Sequence, residues 1–313
     1  MQVDDKVIAE MTAKHPRARD TEGARLGDLR SVAAASAIQV DGEAVQKALS
    51  SFSRGSGAGP SGLRPQHLKD AMVPGLRDEL SRHMVEVVNL MARGQPPPQV
   101  QHWLCGASLA ALPKASGDLR PVAVGETWRR LAGKALAHEV APELRNYLEP
   151  VQLGVGTPGG CEAVVHVVRQ WMARNSGDGR RVLVTLDLAN AFNSVDRSAF
   201  LTEVRRVVPG IAPWVDFCYQ HESQLLLGAA QLASSRGIQQ GDPLGPALFA
   251  LAIHESILRA RAAAEAQFPG GLDFTAFFLD DGTVAGDADA VAKFVEVFSQ
   301  EMADKAHALA TEM

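Results

Sequence analysis

The sequence is poor in the residues that build metal clusters and covalent cross-links. Its three cysteines, Cys105, Cys161 and Cys218, lie far apart and form no C-x-x-C pair. Neither a zinc ribbon nor a disulfide framework is suggested. The nine histidines are scattered, with no H-x-x-x-H pair, so cysteine–histidine metal chemistry is not expected. No apolar run reaches the roughly 18–20 residues needed to cross a bilayer. The N-terminus is polar from the start and lacks the apolar segment of a signal peptide. The expectation is a soluble intracellular protein of cytoplasm or nucleus, not secreted, with no membrane partner. No internal repeat is visible.

An excess of positive charge is also missing: the formal net charge is −5. Affinity for nucleic acid comes largely from Lys and Arg neutralising phosphates. Only local clusters, Arg129–Arg130, Arg180–Arg181 and Arg205–Arg206, could supply such a track. Each reads equally well as solvated surface charge.

What is present is an ordinary globular composition, 46% hydrophobic and 21% charged over 313 residues. At roughly 150 residues per domain, that is room for about two domains. Residues 1–50 look like an N-terminal helical extension, with Asp41 placed to cap a helix through Ala44, Val45, Ala48 and Leu49. Small residues from Ser53 to Gly62 form a loop. Apolar spacing predicts a helix from His67 to Arg93, ended by Gln95-Pro-Pro-Pro98. Strands are expected at Leu109–Pro113 and Leu119–Val124 around a turn at Ser116–Asp118, and a helix at Trp128–Tyr147. A loop at Gly154–Gly160, a helix at Glu162–Met172 and a turn at Asn175–Gly179 follow.

Arg181–Leu186 then reads as a buried strand ending on Asp187. Leu225–Leu227 and Gln231–Ser234 flank Gly228 as a hairpin. Pro246 fits the first position of a helix through Leu248, Leu251 and Leu258. Phe274–Leu279 is a strand, Asp280-Asp281-Gly282 its hairpin corner, and Thr283–Ala285 the return. Ala288–Glu312 is helical by composition. The mixture is α+β; strand order does not follow from periodicity.

The chemistry rests on carboxylates at sheet ends: Asp187 on one strand, Asp280 and Asp281 at a hairpin. Magnesium takes oxygen ligands, often one or two carboxylates plus substrate phosphates. Two such ions can activate an attacking hydroxyl and stabilise a leaving oxygen. The backbone carbonyl of Leu188 is a further donor. These residues permit a magnesium site; an Asp ending a strand is also a common turn former, and Asp-Gly a common hairpin corner.

The surrounding residues resemble a known family. Asp187-Leu-Ala-Asn-Ala-Phe-Asn-Ser-Val-Asp196 resembles the first carboxylate motif of reverse transcriptases. Phe278-Leu-Asp-Asp281 resembles their aromatic-x-Asp-Asp signature, and Arg236-Gly-Ile-Gln-Gln-Gly-Asp-Pro-Leu-Gly-Pro246 their Gln-Gly motif. Gly59–Leu68, and Leu112-Pro-Lys114 with Leu119-Arg-Pro-Val122, resemble fingers motifs of non-LTR retrotransposon enzymes and their group II intron relatives. Gln152-Leu-Gly154 with Gly159-Gly160 fits the segment before the first Asp. These blocks stand in family order over roughly residues 55–285.

The resemblance implies a right-hand polymerase over residues 51–313, fingers mainly 51–150 and palm mainly 151–313, with an antiparallel palm sheet backed by helices. It implies an RNA-directed DNA polymerase that uses two Mg²⁺ ions (Mn²⁺ also fits), with an RNA template, a DNA primer and dNTPs as partners. Asp187 and Asp280 become the main metal ligands, and Asp281 an assisting one. Lys114 and Arg120 grip the triphosphate, an assignment that suits cationic side chains facing phosphate oxygens. Phe192 becomes a steric gate against a ribose 2′-OH, its alternative being core packing. Gln240 and Gly241 line the nucleotide pocket, Gly241 by admitting a close backbone approach. Leu279 departs from the pattern, where relatives more often carry Ala. No Lys-bearing segment, primer grip or helical thumb is recognisable after Asp281, so the thumb is expected to be missing. A truncated, non-catalytic nucleic-acid-binding remnant is the alternative. An RNA-dependent RNA polymerase is a further one, which Phe192 opposes.

Overall fold

The computed structural model describes residues 3–20, 25–27, 29, 36–115, 117–305 and 308–312. Among these, eight strands form two sheets. The strands are β1 (Ala107–Pro113), β2 (Leu119–Gly125), β3 (Arg181–Ala189), β4 (Ser223–Leu227), β5 (Ala230–Ser234), β6 (Leu272–Phe278), β7 (Asp281–Asp287) and β8 (Ala308–Glu312). The chain divides into two compact units, Met1–Val140 with Phe192–Gly245, and Ala141–Ala191 with Pro246–Met313.

The first unit holds the sheet β2-β1-β4-β5. Two antiparallel hairpins, β1–β2 and β4–β5, join through a short parallel contact, Ala107 beside Leu225 and Ser108 beside Leu226. Val7 and Met11, from the helix Asp5–Ala13, pack on Leu109, Leu119, Ala123, Leu225 and Leu227. Burying each such side chain contributes about 1.5–3 kcal/mol. Asp41 caps its helix as expected: its Oδ1 accepts the Ala44 amide at 2.9 Å. The helix expected over His67–Arg93 is instead two, Pro65–Asp70 and Arg77–Ala92. The break falls at Val73-Pro74-Gly75, where Pro74 turns Val73 away from helical backbone and Gly75 stands at φ 91°. The turn expected at Ser116–Asp118 falls partly outside the described residues, at Ser116. The backbone around it closes the β1–β2 hairpin, with the Lys114 amide donating to the Asp118 carbonyl at 2.7 Å.

The second unit holds the antiparallel sheet β6-β7-β3-β8. Along β3, Val184, Leu186 and Leu188 are buried while Thr185, Asp187 and Ala189 are exposed. This strict alternation gives β3 one core face and one open face, rather than burial on both. On the core face of the sheet lie Phe277 and Val284, with Phe294 and Phe298 of the helix Ala288–Asp304, all fully buried. The Phe277 and Phe298 rings lie 5.3 Å apart and those of Phe294 and Phe298 5.7 Å apart.

Three boundaries differ from the sequence reading. The last helix stops at Asp304, and Ala308–Glu312 is strand β8 on the edge of β3, not helix. Alanine favours helix, but propensity yields readily to tertiary context, and here ladder pairing with an open strand edge overrides it. Strand β3 runs two residues past Asp187, to Ala189. The β6–β7 corner is Leu279–Asp280, so Asp281 and Gly282 belong to β7. Among the described residues no helix is long and apolar enough to cross a membrane.

Candidate active site

The second unit carries the carboxylates. Its β3–β7 ladder pairs Leu186 with Gly282. Asp187 and Asp281 are the next residues along the two strands, and both are exposed. The Asp281 carboxyl is held above the usual carboxylate range, by partial burial first and by the negative charge of Asp187 second. The two acids therefore feel one another across the ladder. Asp280 is half-buried in the two-residue turn that precedes β7. Leu188 turns its side chain into the core, leaving its backbone as the only donor it could offer.

Among the described residues no group of three or more His, Cys, Asp or Glu side chains stands close enough to cage a metal ion. The donor set still fits a hard divalent cation. Magnesium binds through one or two carboxylates and completes its shell with water and substrate phosphates. A cation beside Asp281 would offset the Asp187 charge that raises its proton affinity. The coupling joins Asp187 to Asp281, the acid for which the resemblance implied only an assisting role.

The turn is held in an unusual way. Leu279 stands at φ 59°, left-handed backbone that costs a residue with a Cβ about 1–2 kcal/mol. The side chain of Gln152, fully buried, hydrogen-bonds the Leu279 backbone. Gln152 had no role in the sequence reading beyond its place in a motif, and no local pattern ties it to a turn 127 residues away.

The first unit carries the remaining candidates. Lys114 and Arg120 lie on the β1–β2 hairpin, both exposed, with no ion-pair partner among the described residues. Phe192 is half-buried. Its carbonyl accepts the Ile238 amide at 2.7 Å, and its ring edge stands 3.8 Å from where a Cβ on Gly245 would lie. Gln240 is half-buried, and its carbonyl accepts the Ala123 amide at 2.7 Å. Gly241, at φ 128°, lies so close to the Ala123 carbonyl that a Cβ would collide with it. The close approach seen at Gly241 is thus to β2 of its own chain.

The preceding glutamine, Gln239, is internal. Its amide donates to the Cys105 carbonyl at 2.9 Å and the Ser223 hydroxyl at 3.0 Å. It accepts Arg129 at 2.7 Å. Arg129 also pairs with Asp242 at 2.8 Å, and Asp242 accepts the Tyr219 hydroxyl at 2.7 Å. Cys105 and Cys218, distant in sequence, are both buried free thiols, and Cys105 Sγ donates to the Phe217 carbonyl at 3.3 Å. Arg197, equally buried, donates to the carbonyls of Gly237, His221 and Ser234. Burial drags its guanidinium down to about 10.

None of the three arginine clusters forms an open phosphate track. Arg129 is a core residue, and Arg130 donates to the Gly57 carbonyl at 2.6 Å. Arg205 pairs with Asp216 at 2.8 Å and Arg206 with Glu203 at 2.6 Å. In the second unit Arg181 pairs with Asp273 at 3.1 Å and Arg180 with Asp287 at 3.5 Å. Each positive charge already has a carboxylate or carbonyl of its own.

A segment of 262 residues is 28% identical to the retrotransposable element SLACS 132 kDa protein of Trypanosoma brucei gambiense, covering 79% of this chain and 20% of that protein. A segment of 244 residues is 24% identical to the retrovirus-related Pol polyprotein from type-2 retrotransposable element R2DM of Drosophila melanogaster, covering 74% of this chain and 22% of that protein. The chain thus spans about a fifth of the length of these curated relatives. The family model described as reverse transcriptase (RNA-dependent DNA polymerase) matches residues 112–311, which take in both carboxylate motifs and the Gln-Gly motif between them. The chain belongs to the reverse transcriptase family, and its relatives place it on the non-LTR retrotransposon side.

Proposed function

We propose that this chain is the fingers-and-palm part of a retroelement RNA-directed DNA polymerase. It extends a DNA primer on an RNA template: the primer 3′-hydroxyl attacks the α-phosphorus of a dNTP, a P–O bond forms, and pyrophosphate leaves. The observation that carries this reading is the pair Asp187 and Asp281, exposed at the end of one antiparallel ladder and electrostatically coupled.

Members of this family typically use a divalent metal. Asp187, Asp280 and Asp281, with the Leu188 carbonyl, would hold two Mg²⁺ ions. Those ions, when bound, lower the barrier by activating the hydroxyl and neutralising the leaving oxygen. The exposed Lys114 and Arg120 neutralise triphosphate oxygens, Arg120 through its planar fork and Lys114 as a point charge. Phe192 blocks the ribose 2′-OH, and Gln240 and Gly241 line the nucleotide pocket.

Primer extension on an RNA template with dNTPs and Mg²⁺ tests the reading. Asp187→Asn is expected to lower the rate at least on the order of 10²–10³-fold. Extension near the wild-type rate would end the metal assignment.

A further inference from the structure

The proposed metal ligands sit on or beside a turn whose first residue is apolar and left-handed. Leu279 has no intrinsic reason to adopt φ 59°. Its carbonyl accepts Gln152 Nε2 at 3.0 Å, and its amide donates to Gln152 Oε1 at 2.8 Å. Both backbone groups of one residue are thus bound by a single carboxamide. The same Oε1 also accepts the Gly154 amide at 3.1 Å.

Gln152 is itself fastened to the strand it serves. Its flanking residues bracket Phe277: the Phe277 amide donates to the Val151 carbonyl at 2.7 Å, and the Leu153 amide donates to the Phe277 carbonyl at 2.8 Å. Its own amide donates to the Leu148 carbonyl at 3.0 Å. The Gln152 side chain is fully shielded from water, so no solvent competes for these bonds. Gly154 completes the clamp. A Cβ there would lie 2.8 Å from the Leu279 side chain and amide, so only glycine lets the turn settle on this segment.

We infer that Gln152 is a positioning residue for the carboxylate turn. By pinning Leu279 in left-handed backbone it sets where Asp280 and Asp281 stand relative to Asp187. The inference rests on the reading of these acids as divalent-metal ligands. An ordinary buried glutamine would fill space and satisfy whichever groups lay nearby. This one spends three hydrogen bonds on the residue before the acids and on the segment that packs against it.

Mn²⁺ binding to the full chain, followed by electron paramagnetic resonance of the free ion, tests this without turnover. Asp187→Asn serves as the control. Gln152→Ala is expected to weaken Mn²⁺ binding about tenfold, the scale on which outer groups orient metal ligands. Gln152→Met, which keeps the buried volume, is expected to do the same and carries the test should the alanine variant not fold. Adding Leu279→Gly to either variant is expected to recover several-fold of the loss, because glycine enters the left-handed region without a clamp. A packing role predicts the reverse, since removing the leucine deletes further contacts. Wild-type Mn²⁺ affinity in Gln152→Met, or no recovery with Leu279→Gly, overturns the inference while the metal reading stands. Equal Mn²⁺ affinity in wild type and Asp187→Asn overturns both.

Discussion

The two sheets handle charge in opposite ways. In the first unit the strongest charges are buried and paired: Arg129 with Asp242, Arg197 with a ring of carbonyls. They hold the Gln-Gly segment to the sheet and are not available to a substrate. On the β1–β2 hairpin, by contrast, Lys114 and Arg120 stand exposed with no ion-pair partner among the described residues. In the second unit the acids of the motif lie on the open face of the ladder and repel each other. Charge that has found its partner inside the chain builds the scaffold. Charge left exposed, or set against its own sign, is where a ligand gains most.

Breaking the buried pair should have the largest effect on the fold. Arg129→Leu leaves Asp242 buried without its partner and is expected to cost about 3–5 kcal/mol in urea unfolding. Arg129→Leu with Asp242→Leu should cost clearly less. A loss under 1 kcal/mol for the single variant would make the pair incidental.

Phe192 tests the proposed gate. Phe192→Val should raise ribonucleotide over deoxynucleotide use on the order of 10–200-fold, the range that small volume changes in a pocket give. An unchanged ratio returns Phe192 to packing. Arg120→Ala sharpens the contrast with Arg129: unfolding stability should hold, while the apparent KM for dNTP rises about tenfold and kcat falls. A stability loss with unchanged kinetics would reverse the two roles.

The smallest effect is a titration. Asp281 binds its proton more tightly in the folded chain than an ordinary carboxylate, through burial and then Asp187. Asp187→Asn removes the second cause, so the Asp281 carboxyl should titrate lower by carbon NMR. A group raised in this way adds stability in acid, and the benefit is lost as pH rises through its folded value. Asp281→Asn should therefore raise the melting temperature at neutral pH and lose that advantage in acid. No difference across this range would mean the acids do not couple.

Much of this was legible in the sequence because it is local. Asp41 caps the next turn of its own helix, and the apolar run before Asp187 marks β3 as a strand, although its burial on one face only was not read from it. The helix expected over His67–Arg93 failed where Val73-Pro74-Gly75 interrupts it, a local signal outweighed by the surrounding helical spacing. Ala308–Glu312 failed for a different reason. Its composition favours helix, but the edge of β3 offered it a ladder.

By itself, the sequence determined the ordered motifs, the family and which residue types could carry the chemistry. Those are properties of composition and spacing, and they survive without knowing any distance. Tertiary structure alone decided that Asp187 meets Asp281, that the arginine pairs are spoken for, and that Gln152 grips Leu279. Each of these joins residues far apart along the chain. Contacts of that kind are set by strand pairing and by the need to satisfy buried polar groups, neither of which leaves a periodic trace.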